Sequence, residues 1–299
     1  MKILSYEGNY GDRIGIEIDR GIVDFSAAFQ LYSLVEKEQV CPMITDIMEL
    51  IRGNLFDVDI FADVLLFLEH HSFLERYIVP GKVKINPPIT NPSKIVALGL
   101  NYADHAKESG REAPKEAVIF CKASSSIIGP EDNVVIKPDI GRVDPEVELA
   151  FIIGRKAKNV PKEEASYYIA GYTVLNDISA RDMQSADFEL RNPWFRSKSM
   201  DTFCPIGPYI VLPDEISPDD ELDLEIKVNG EVRQKSNTKY LIFKIPDLIE
   251  YISSMMTLEP GDIISTGTPQ GIAPIKPGDV MEATVEKIGT LRNYVRFEG

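Results

Sequence analysis

Two glutamates separated by a single residue are the first candidates for chemistry in this sequence. Glu146 and Glu148 lie in the run 143–154, whose many apolar residues indicate a β-strand. Because successive side chains of a strand alternate between its faces, both carboxylates point the same way, about 7 Å apart along the chain. Like charges on one face of a strand repel each other, and a divalent cation bound to both would remove that penalty.

A third carboxylate follows another strand-like run. Residues 172–175 are apolar or β-branched, and the pattern ends at Asp177. Three oxygen ligands with no His or Cys beside them favour a hard cation, so the sequence predicts Mg²⁺ or Mn²⁺ on Glu146, Glu148 and Asp177. The alternative is a solvent-facing strand with unrelated acids. Basic side chains between the carboxylates, or a distant Asp177, would contradict the metal site.

Six motifs, in this order, resemble those of the fumarylacetoacetate hydrolase family. They are NYADH at 101–105, DPEVELA at 144–150, NDISARDMQ at 176–184, KSMDTFCP at 198–205, VNG at 228–230 and TGTPQG at 266–271. The resemblance covers about residues 93–290. It implies a mixed β-roll that pairs as a homodimer, and enzymes of this kind act on small oxo acids.

His105 and Glu108 are candidates for activating water. They are three residues apart in a segment with a helical pattern, so their side chains share one face. A carboxylate beside an imidazole fixes its tautomer and makes it a better general base, whereas a simple surface contact is the alternative. The resemblance implies that this pair activates water and that Lys198 is the lysine of the site, where it would stabilise enolate or oxyanion charge.

Substrate contacts are expected at several further positions. Arg181 and Gln184 follow Asp177 by four and seven residues and would share one face of a short helix, with a salt bridge from Arg181 to Asp182 or Asp187 as the alternative. The turn Thr266-Gly267-Thr268 offers hydroxyls and N–H groups that could receive a carboxylate, although ordinary turn chemistry explains its glycine equally well. Tyr102 and Lys122 are additional candidates.

The remaining reactive side chains have simpler expected roles. His70 and His71 should cap a helix or contact solvent. Cys121 and Cys204 are expected to be small buried residues, because no His partner is spaced near them. Trp194 could belong either to the core or to a pocket wall.

Acidic residues outnumber basic residues, 47 to 32, which gives a formal net charge of −15. This balance argues against nucleic acid or an anionic membrane surface as a partner. Three cysteines far apart in the sequence argue against a disulfide framework and favour a reducing compartment. The sequence has no signal-peptide core and no apolar run of membrane-spanning length, so a cytoplasmic location is predicted.

The predicted fold class is α+β and rich in β-structure, with two domains. Residues 1–80 should form a small α/β N-terminal domain, in which three short strands precede helices at 26–37, 43–52 and 59–71, the last capped by Asp59. Pro and Gly residues between 77 and 93 indicate a linker. Residues 81–299 should form the catalytic β-roll, with helices beginning near Tyr102 and at about 162–168, 180–184 and 245–255.

The predicted function is divalent-metal-dependent hydrolysis of a C–C bond in an acylpyruvate, with pyruvate leaving as an enolate. Alternatives are an oxaloacetate decarboxylase or hydroxymuconate-type isomerase, because the same stabilisation of an enolate would serve both reactions. A dehydratase of 2-keto-3-deoxy sugar acids is a further alternative, although it would not need His105 and Glu108. A non-catalytic binding scaffold is the last. The expected partners are a small oxo acid and a second copy of the chain.

Overall fold

A computed structural model describes residues 1–108 and 112–299, without the side chains of residues 105–107. The strands are β1 (Lys2–Gly8), β2 (Gly11–Ile18), β3 (Gly21–Asp24), β4 (Ile85–Asn86), β5 (Ile95–Gly99), β6 (Val118–Lys122), β7 (Ile127–Ile128), β8 (Asn133–Ile136), β9 (Val143–Asp144), β10 (Val147–Ile153), β11 (Ile169–Asn176), β12 (Ser179–Ala180), β13 (Cys204–Val211), β14 (Asp223–Val228), β15 (Glu231–Asn237), β16 (Ile263–Ser265), β17 (Val280–Val285) and β18 (Gly289–Phe297). The α-helices are α1 (Phe25–Glu36), α2 (Ile47–Arg52), α3 (Val58–His70), α4 (Leu74–Tyr77), α5 (Ala103–Glu108), α6 (Arg181–Glu189), α7 (Phe195–Lys198) and α8 (Ile245–Met255). Three 3₁₀-helices cover Ser124–Ser126, Lys162–Tyr168 and Thr238–Tyr240.

Most strands belong to two mixed sheets. The larger sheet has the order β3-β2-β1-β13-β11-β10-β16-β5-β6, with β4 beside β1 and β7 beside β13. The smaller sheet has the order β15-β14-β17-β18-β8, and β9 pairs with β12 separately. Most neighbouring strands are antiparallel, but three pairs run parallel, namely β16 with β5, β13 with β7 and β18 with β8. Mixed sheets with several helices confirm the predicted α+β class.

Strand β10 lies in the middle of the larger sheet and is buried along its whole length. Its odd-numbered residues, including Leu149 and Phe151, pack in a core shared with the smaller sheet. Ala150 and Ile152 face a second core that also contains residues of α1 and α3. A strand covered on both faces accounts for the nearly continuous apolar sequence of this segment.

The N-terminal strands and helices follow the predicted order, but two helix starts differ. The three-stranded meander β1–β3 forms as expected. Helix α2 begins at Ile47 and not at residue 43. The N-cap of α3 is Asp57 and not Asp59, because Asp57 has extended backbone angles and its carboxylate accepts a hydrogen bond from the Asp59 amide.

The first 80 residues join the larger sheet directly. Strand β1 pairs with β13, with Lys2 opposite Val211, and β4 from the predicted linker pairs with β1. The two parts share a sheet and a core. The division into two domains at residue 80 stays a prediction. Within the described chain, no helix is both long and apolar enough to cross a membrane.

Candidate active site

Three carboxylates converge where β10 begins and β11 ends. The antiparallel register places Val147 opposite Asn176, so Glu146 just before β10 meets Asp177 just after β11. The Asp177 amide donates to the Glu146 carbonyl oxygen at 2.8 Å. Since side chains alternate along paired strands, Glu146, Glu148 and Asp177 point to one face. Each residue offers an oxygen, and these three oxygens lie within 4.8 Å of one another.

One oxygen of Glu148 lacks a donor. Its Oε2 accepts hydrogen bonds from Ser265 Oγ at 2.5 Å and from the Gly267 amide at 2.8 Å. Its Oε1 is buried without a hydrogen-bond partner. Burial first, and then the charge of Asp177, raise the pKa of Glu148 to about 8. A buried acceptor without a donor is costly, and a hard cation among three carboxylates would satisfy it.

A basic side chain nevertheless lies between two of the carboxylates. Lys198 Nζ is 2.7 Å from Glu146 Oε2 and 2.5 Å from Asp177 Oδ2. Basic side chains in this gap were stated above as evidence against a metal site, so the position of Lys198 has to be reconciled with a bound cation. A carboxylate oxygen has two acceptor positions, so a cation and Lys198 can share these oxygens, and Glu148 Oε1 is open to the cation. The all-oxygen donor set thus still fits Mg²⁺ or Mn²⁺.

Lys122 and Arg181 complete the ring of basic groups. Lys122 Nζ is 2.6 Å from Asp177 Oδ1 and is itself buried. Arg181 forms an ion pair with Glu146 through Nη2, and its Nη1 donates to Gln184 Oε1 at 2.5 Å. Every carboxylate of the triad except Glu148 is therefore matched by at least one cation.

Behind these groups lies Asp144, to which the sequence analysis gave no role. It is fully buried and accepts hydrogen bonds from Arg142 Nε at 2.8 Å and Arg181 Nε at 2.7 Å. The salt bridge from Arg181 to Asp182 or Asp187 is not formed, because Asp144 and Glu146 take its guanidinium. Asp144 precedes Glu146 by two residues, and this spacing along a strand could have predicted that both side chains lie on the same face.

A cavity of about 320 Å³ borders the triad at Glu146, while Glu148 and Asp177 are not among its described lining residues. Its lining includes six of the predicted site residues, Glu146 among them. All of its described lining residues are Leu98, Gly99, Leu100, Glu108, Phe120, Glu146, Arg181, Gln184, Ser185, Phe188, Glu189, Trp194, Lys198, Thr268 and Ile272. Trp194, which could have belonged to the core, is a wall of this cavity.

The turn after β16 forms hydrogen bonds to the backbone of β10 and to Glu148. Thr266 Oγ1 donates to the Leu149 carbonyl oxygen at 2.9 Å, and Thr268 Oγ1 donates to that of Val147 at 3.0 Å. Gly267 has a φ of +94° and directs its amide to Glu148. Thr268 also lines the cavity, whereas Thr266 and Gly267 do not. The turn therefore holds β10 and the Glu148 carboxylate in position.

The predicted water-activating pair is placed only in part. The Glu108 carboxylate lines the cavity and accepts hydrogen bonds of 3.0 and 3.1 Å from the Gly271 amide. The His105 side chain is outside the described part of the chain, so its contact with Glu108 stays a prediction. Tyr102 is buried with no hydrogen-bond partner for its hydroxyl, and burial and the charge of Glu148 raise the pKa of the phenol.

The remaining histidines and cysteines show one difference from expectation. His71 caps the C-terminus of α3. Cys204 is buried as expected, but Cys121 is exposed. Cys121 precedes Lys122 in β6, and since neighbouring side chains of a strand face opposite ways, the inward Lys122 leaves Cys121 facing outward.

The sequence and the fold of this chain are similar to those of several known proteins. A family model described as fumarylacetoacetate (FAA) hydrolase C-terminal matches residues 94–296. The mitochondrial oxaloacetate tautomerase Fahd2a of Rattus norvegicus is 43% identical over 224 residues, which are 72% of this chain and 70% of that protein. Two solved structures align with this chain over the full length of both chains, 100% of each. They are fumarylacetoacetate hydrolase from Exiguobacterium antarcticum, with 33% identity and a TM-score of 0.82, and maleylpyruvate hydrolase from Sphingobium sp. SYK-6 in complex with manganese(II) ion and pyruvate, with 31% identity and a TM-score of 0.77.

Proposed function

Since this chain belongs to the fumarylacetoacetate hydrolase family, we propose that it uses a divalent metal to hydrolyse the C–C bond of an acylpyruvate. The products are a carboxylic acid and pyruvate. The observation that carries this proposal is the convergence of Glu146, Glu148 and Asp177 beside a cavity. Glu146, Lys198 and Arg181 line this cavity. This arrangement suits a substrate that is an anion and that gains charge on one oxygen during the reaction.

The three carboxylates would hold Mg²⁺ or Mn²⁺. When bound, such an ion acts as a Lewis acid toward a 2-oxo acid and orients it. The related maleylpyruvate hydrolase was solved with manganese(II) ion and pyruvate, which supports this part of the proposal. Asn176 fixes the backbone of the site, because its Oδ1 accepts a hydrogen bond of 2.8 Å from the Glu146 amide.

Lys198 is the group that stabilises the developing enolate. Burial lowers the pKa of its ammonium, but the charges of Asp177 and Glu146 raise that pKa by more, so the side chain stays charged. Its Nζ is fixed by two carboxylates and lines the cavity. A positive charge already held in place costs little reorganisation when negative charge forms beside it.

Water activation is assigned to His105, and Glu108, three residues later, lines the cavity. His105 takes a proton from water, and the hydroxide adds to the acyl carbonyl carbon. The bond between this carbon and the pyruvate methylene carbon breaks, and its electron pair forms the pyruvate enolate. A proton returned to that carbon gives pyruvate, so one water is consumed for each substrate.

Keto–enol tautomerisation of oxaloacetate is the second candidate. The 43% identity with the rat oxaloacetate tautomerase favours it. This reaction moves a proton between C3 and the 2-oxo oxygen of oxaloacetate through the enolate of that acid, and it consumes no water. The two candidates therefore differ in the need for an activated water, the role assigned to His105.

Acetylpyruvate should release pyruvate in the presence of Mg²⁺ or Mn²⁺, and EDTA should stop this release. His105→Ala should lower kcat for acetylpyruvate by roughly 10²–10⁴, while titration calorimetry shows unchanged metal binding. Oxaloacetate tautomerisation, followed by the loss of enol absorbance, should survive the same substitution if it occurs.

Two results would contradict the proposal. Pyruvate release that continues at full rate in EDTA would exclude the metal, and undiminished hydrolysis by His105→Ala would exclude water activation by that residue. Glu148→Gln serves as the control for the ligand set, because it keeps the shape of the side chain but removes a ligand charge. It should weaken metal binding in calorimetry.

A further inference from the structure

The cavity beside Glu146 changes character along its length. Glu146 and Lys198 are at its buried end, where they are 4% and 2% exposed. Lys198 Nζ is 5.0 Å from the centroid of the Phe120 ring. The Phe120 ring in turn meets the Trp194 ring edge to face, with centroids 5.8 Å apart. A molecule whose oxo-acid end is bound near Lys198 therefore extends past Phe120 and then Trp194.

Apolar side chains make up one part of the wall. They are the two aromatic rings with Leu98, Leu100 and Ile272, while Gln184, Ser185 and Thr268 add polar groups to the lining. Phe188, which is 52% exposed, stands at the mouth. Binding a hydrocarbon group against such a surface is favourable, whereas binding a charged group there is unfavourable because the charge loses its water.

The charged side chains of the cavity also favour an uncharged group at this end of the substrate. Among its described lining residues, the cationic side chains are Arg181 and Lys198, and both already pair with carboxylates. The other charged lining residues outside the triad are Glu108 and Glu189, which are acidic. Within this described lining, a second carboxylate at the far end of a substrate would meet acidic and aromatic side chains.

A glycine makes room for the indole. A Cβ added to Gly99 would lie 2.9 Å from Cζ3 of Trp194, so the ring rests directly against the backbone of β5. This close approach fixes Trp194 as a flat wall of a small cavity. About 320 Å³ is at the lower end of the range for ligand sites, which suits a pyruvate unit with one ring or a short chain.

From these observations we propose that the acyl group of the substrate is uncharged and apolar, either a short alkyl chain or a single aromatic ring. Phe120 and Trp194 are the specificity-determining residues that contact it. The inference rests on the proposed function, because it names the group that acylpyruvate hydrolysis would remove. For the hydrolysis reaction, it predicts that an acylpyruvate with an uncharged acyl group is preferred over one whose acyl group ends in a carboxylate.

Matched substrates test the charge requirement. Butanoylpyruvate and succinylpyruvate have acyl groups of equal length that end in a methyl group and a carboxylate, respectively. With Mg²⁺ present, kcat/KM should be higher for butanoylpyruvate by at least about tenfold, since a few apolar contacts give differences of this size. Benzoylpyruvate should also be hydrolysed. Equal or better hydrolysis of succinylpyruvate would overturn the inference.

Variants at neighbouring positions test the wall itself. Trp194→Ala should lower kcat/KM for benzoylpyruvate by about tenfold and that for acetylpyruvate by much less, because acetyl does not reach the indole. Phe195→Ala is the matched control, since Phe195 is 52% exposed and is not among the described lining residues. An equal loss for both substrates in Trp194→Ala would contradict the assignment.

Binding gives a readout that does not depend on turnover. Trp194 is the only tryptophan of the chain, so tryptophan fluorescence reports directly on this wall. With Mg²⁺ present, 2-oxohexanoate should change the fluorescence at concentrations at least about tenfold lower than 2-oxoadipate, which has a carboxylate in place of the terminal methyl group. If neither acylpyruvate were hydrolysed but this preference held, the proposed reaction would fail and the apolar site would stand. Equal affinity, or no change with either acid, would overturn the inference.

Discussion

Lys122 joins three parts of the site through one ammonium group. Its Nζ is 2.6 Å from Asp177 Oδ1, donates to the Ile178 carbonyl oxygen at 3.5 Å and also donates to the Lys198 carbonyl oxygen. The side chain is 2% exposed. It therefore neutralises Asp177 and holds the backbone that carries Lys198.

Removing this charge should destabilise the metal-free protein. Lys122→Met leaves Asp177 with a weaker set of partners in a buried site, and breaking a buried pair costs about 3–5 kcal/mol. Urea unfolding should show this loss, and added Mg²⁺ should reduce it because the ion also neutralises Asp177. Lys156→Met is the control, since the exposed pair of Lys156 with Glu259 is worth no more than about 1 kcal/mol. Equal midpoints for the two variants would contradict a structural role of Lys122.

Which of these residues the sequence can identify depends on how far apart their partners are. Glu146 and Glu148 are two apart on a strand, and Asp177 ends an apolar run, so their types and spacing predict a common site. The pairing of Lys122 with Asp177, and of Asp144 with Arg181, depends on strand register across 55 and 37 residues. Residue spacing contains no information about that register.

At the level of elements, the register of β10 against β11 determines the site. Val147 lies opposite Asn176 and Glu148 opposite Leu175. A slip of one residue would turn Glu148 to the opposite face, away from Asp177, and would also move Leu149 out of its core. The same apolar residues that build the two cores therefore also align the carboxylates.

The start of α3 provides a test of a local rule. Asp57→Ala removes the side chain that accepts from the Asp59 amide and should lower the free energy of unfolding by about 1 kcal/mol. Asp59→Ala keeps that cap and removes only a first-turn charge, so it should cost a few tenths of a kcal/mol, roughly the surface dipole contribution. Chemical denaturation of the two variants measures both losses. A larger loss of unfolding free energy for Asp59→Ala than for Asp57→Ala would instead identify Asp59 as the N-cap, as the sequence predicted.

Elements with strong periodicity were predictable, whereas their ends were not. Helix α8 has the predicted bounds, 245–255, because its apolar residues repeat at helical spacing and Pro246 marks its first turn. The predicted helix at 162–168 is a 3₁₀-helix. Helix α2 is shorter than predicted because Asp46 caps it, and two acidic residues near the start of α3 made the choice of cap ambiguous.

For the whole molecule, the N-terminal part covers an apolar face of the larger sheet. Ile3 of β1 and Phe61 of α3 share a core with Ala150, Ile206 and Ile210. A fragment of residues 81–299 would expose that face, and exposed apolar surface of this kind promotes association.

The fragment is therefore expected to aggregate or to lose cooperative unfolding. Size-exclusion chromatography with light scattering and urea unfolding would measure this against the full chain. A monodisperse fragment with a full-length midpoint would instead support two independent domains divided at residue 80. The homodimer implied by the sequence is a separate proposal, which light scattering of the full chain also tests.

The pairing of β1 with β13 also affects how the protein is made. Lys2 is synthesised first, but its partner Val211 follows 209 residues later, and Ile95 of β5 waits similarly for Ile263. While the ribosome is still translating the middle of the chain, the edge of β1 that later pairs with β13 and the edge of β5 that later pairs with β16 have no partner strand. Unpaired strand edges recruit other chains. We therefore expect the nascent chain to depend on chaperones until its last third has left the ribosome.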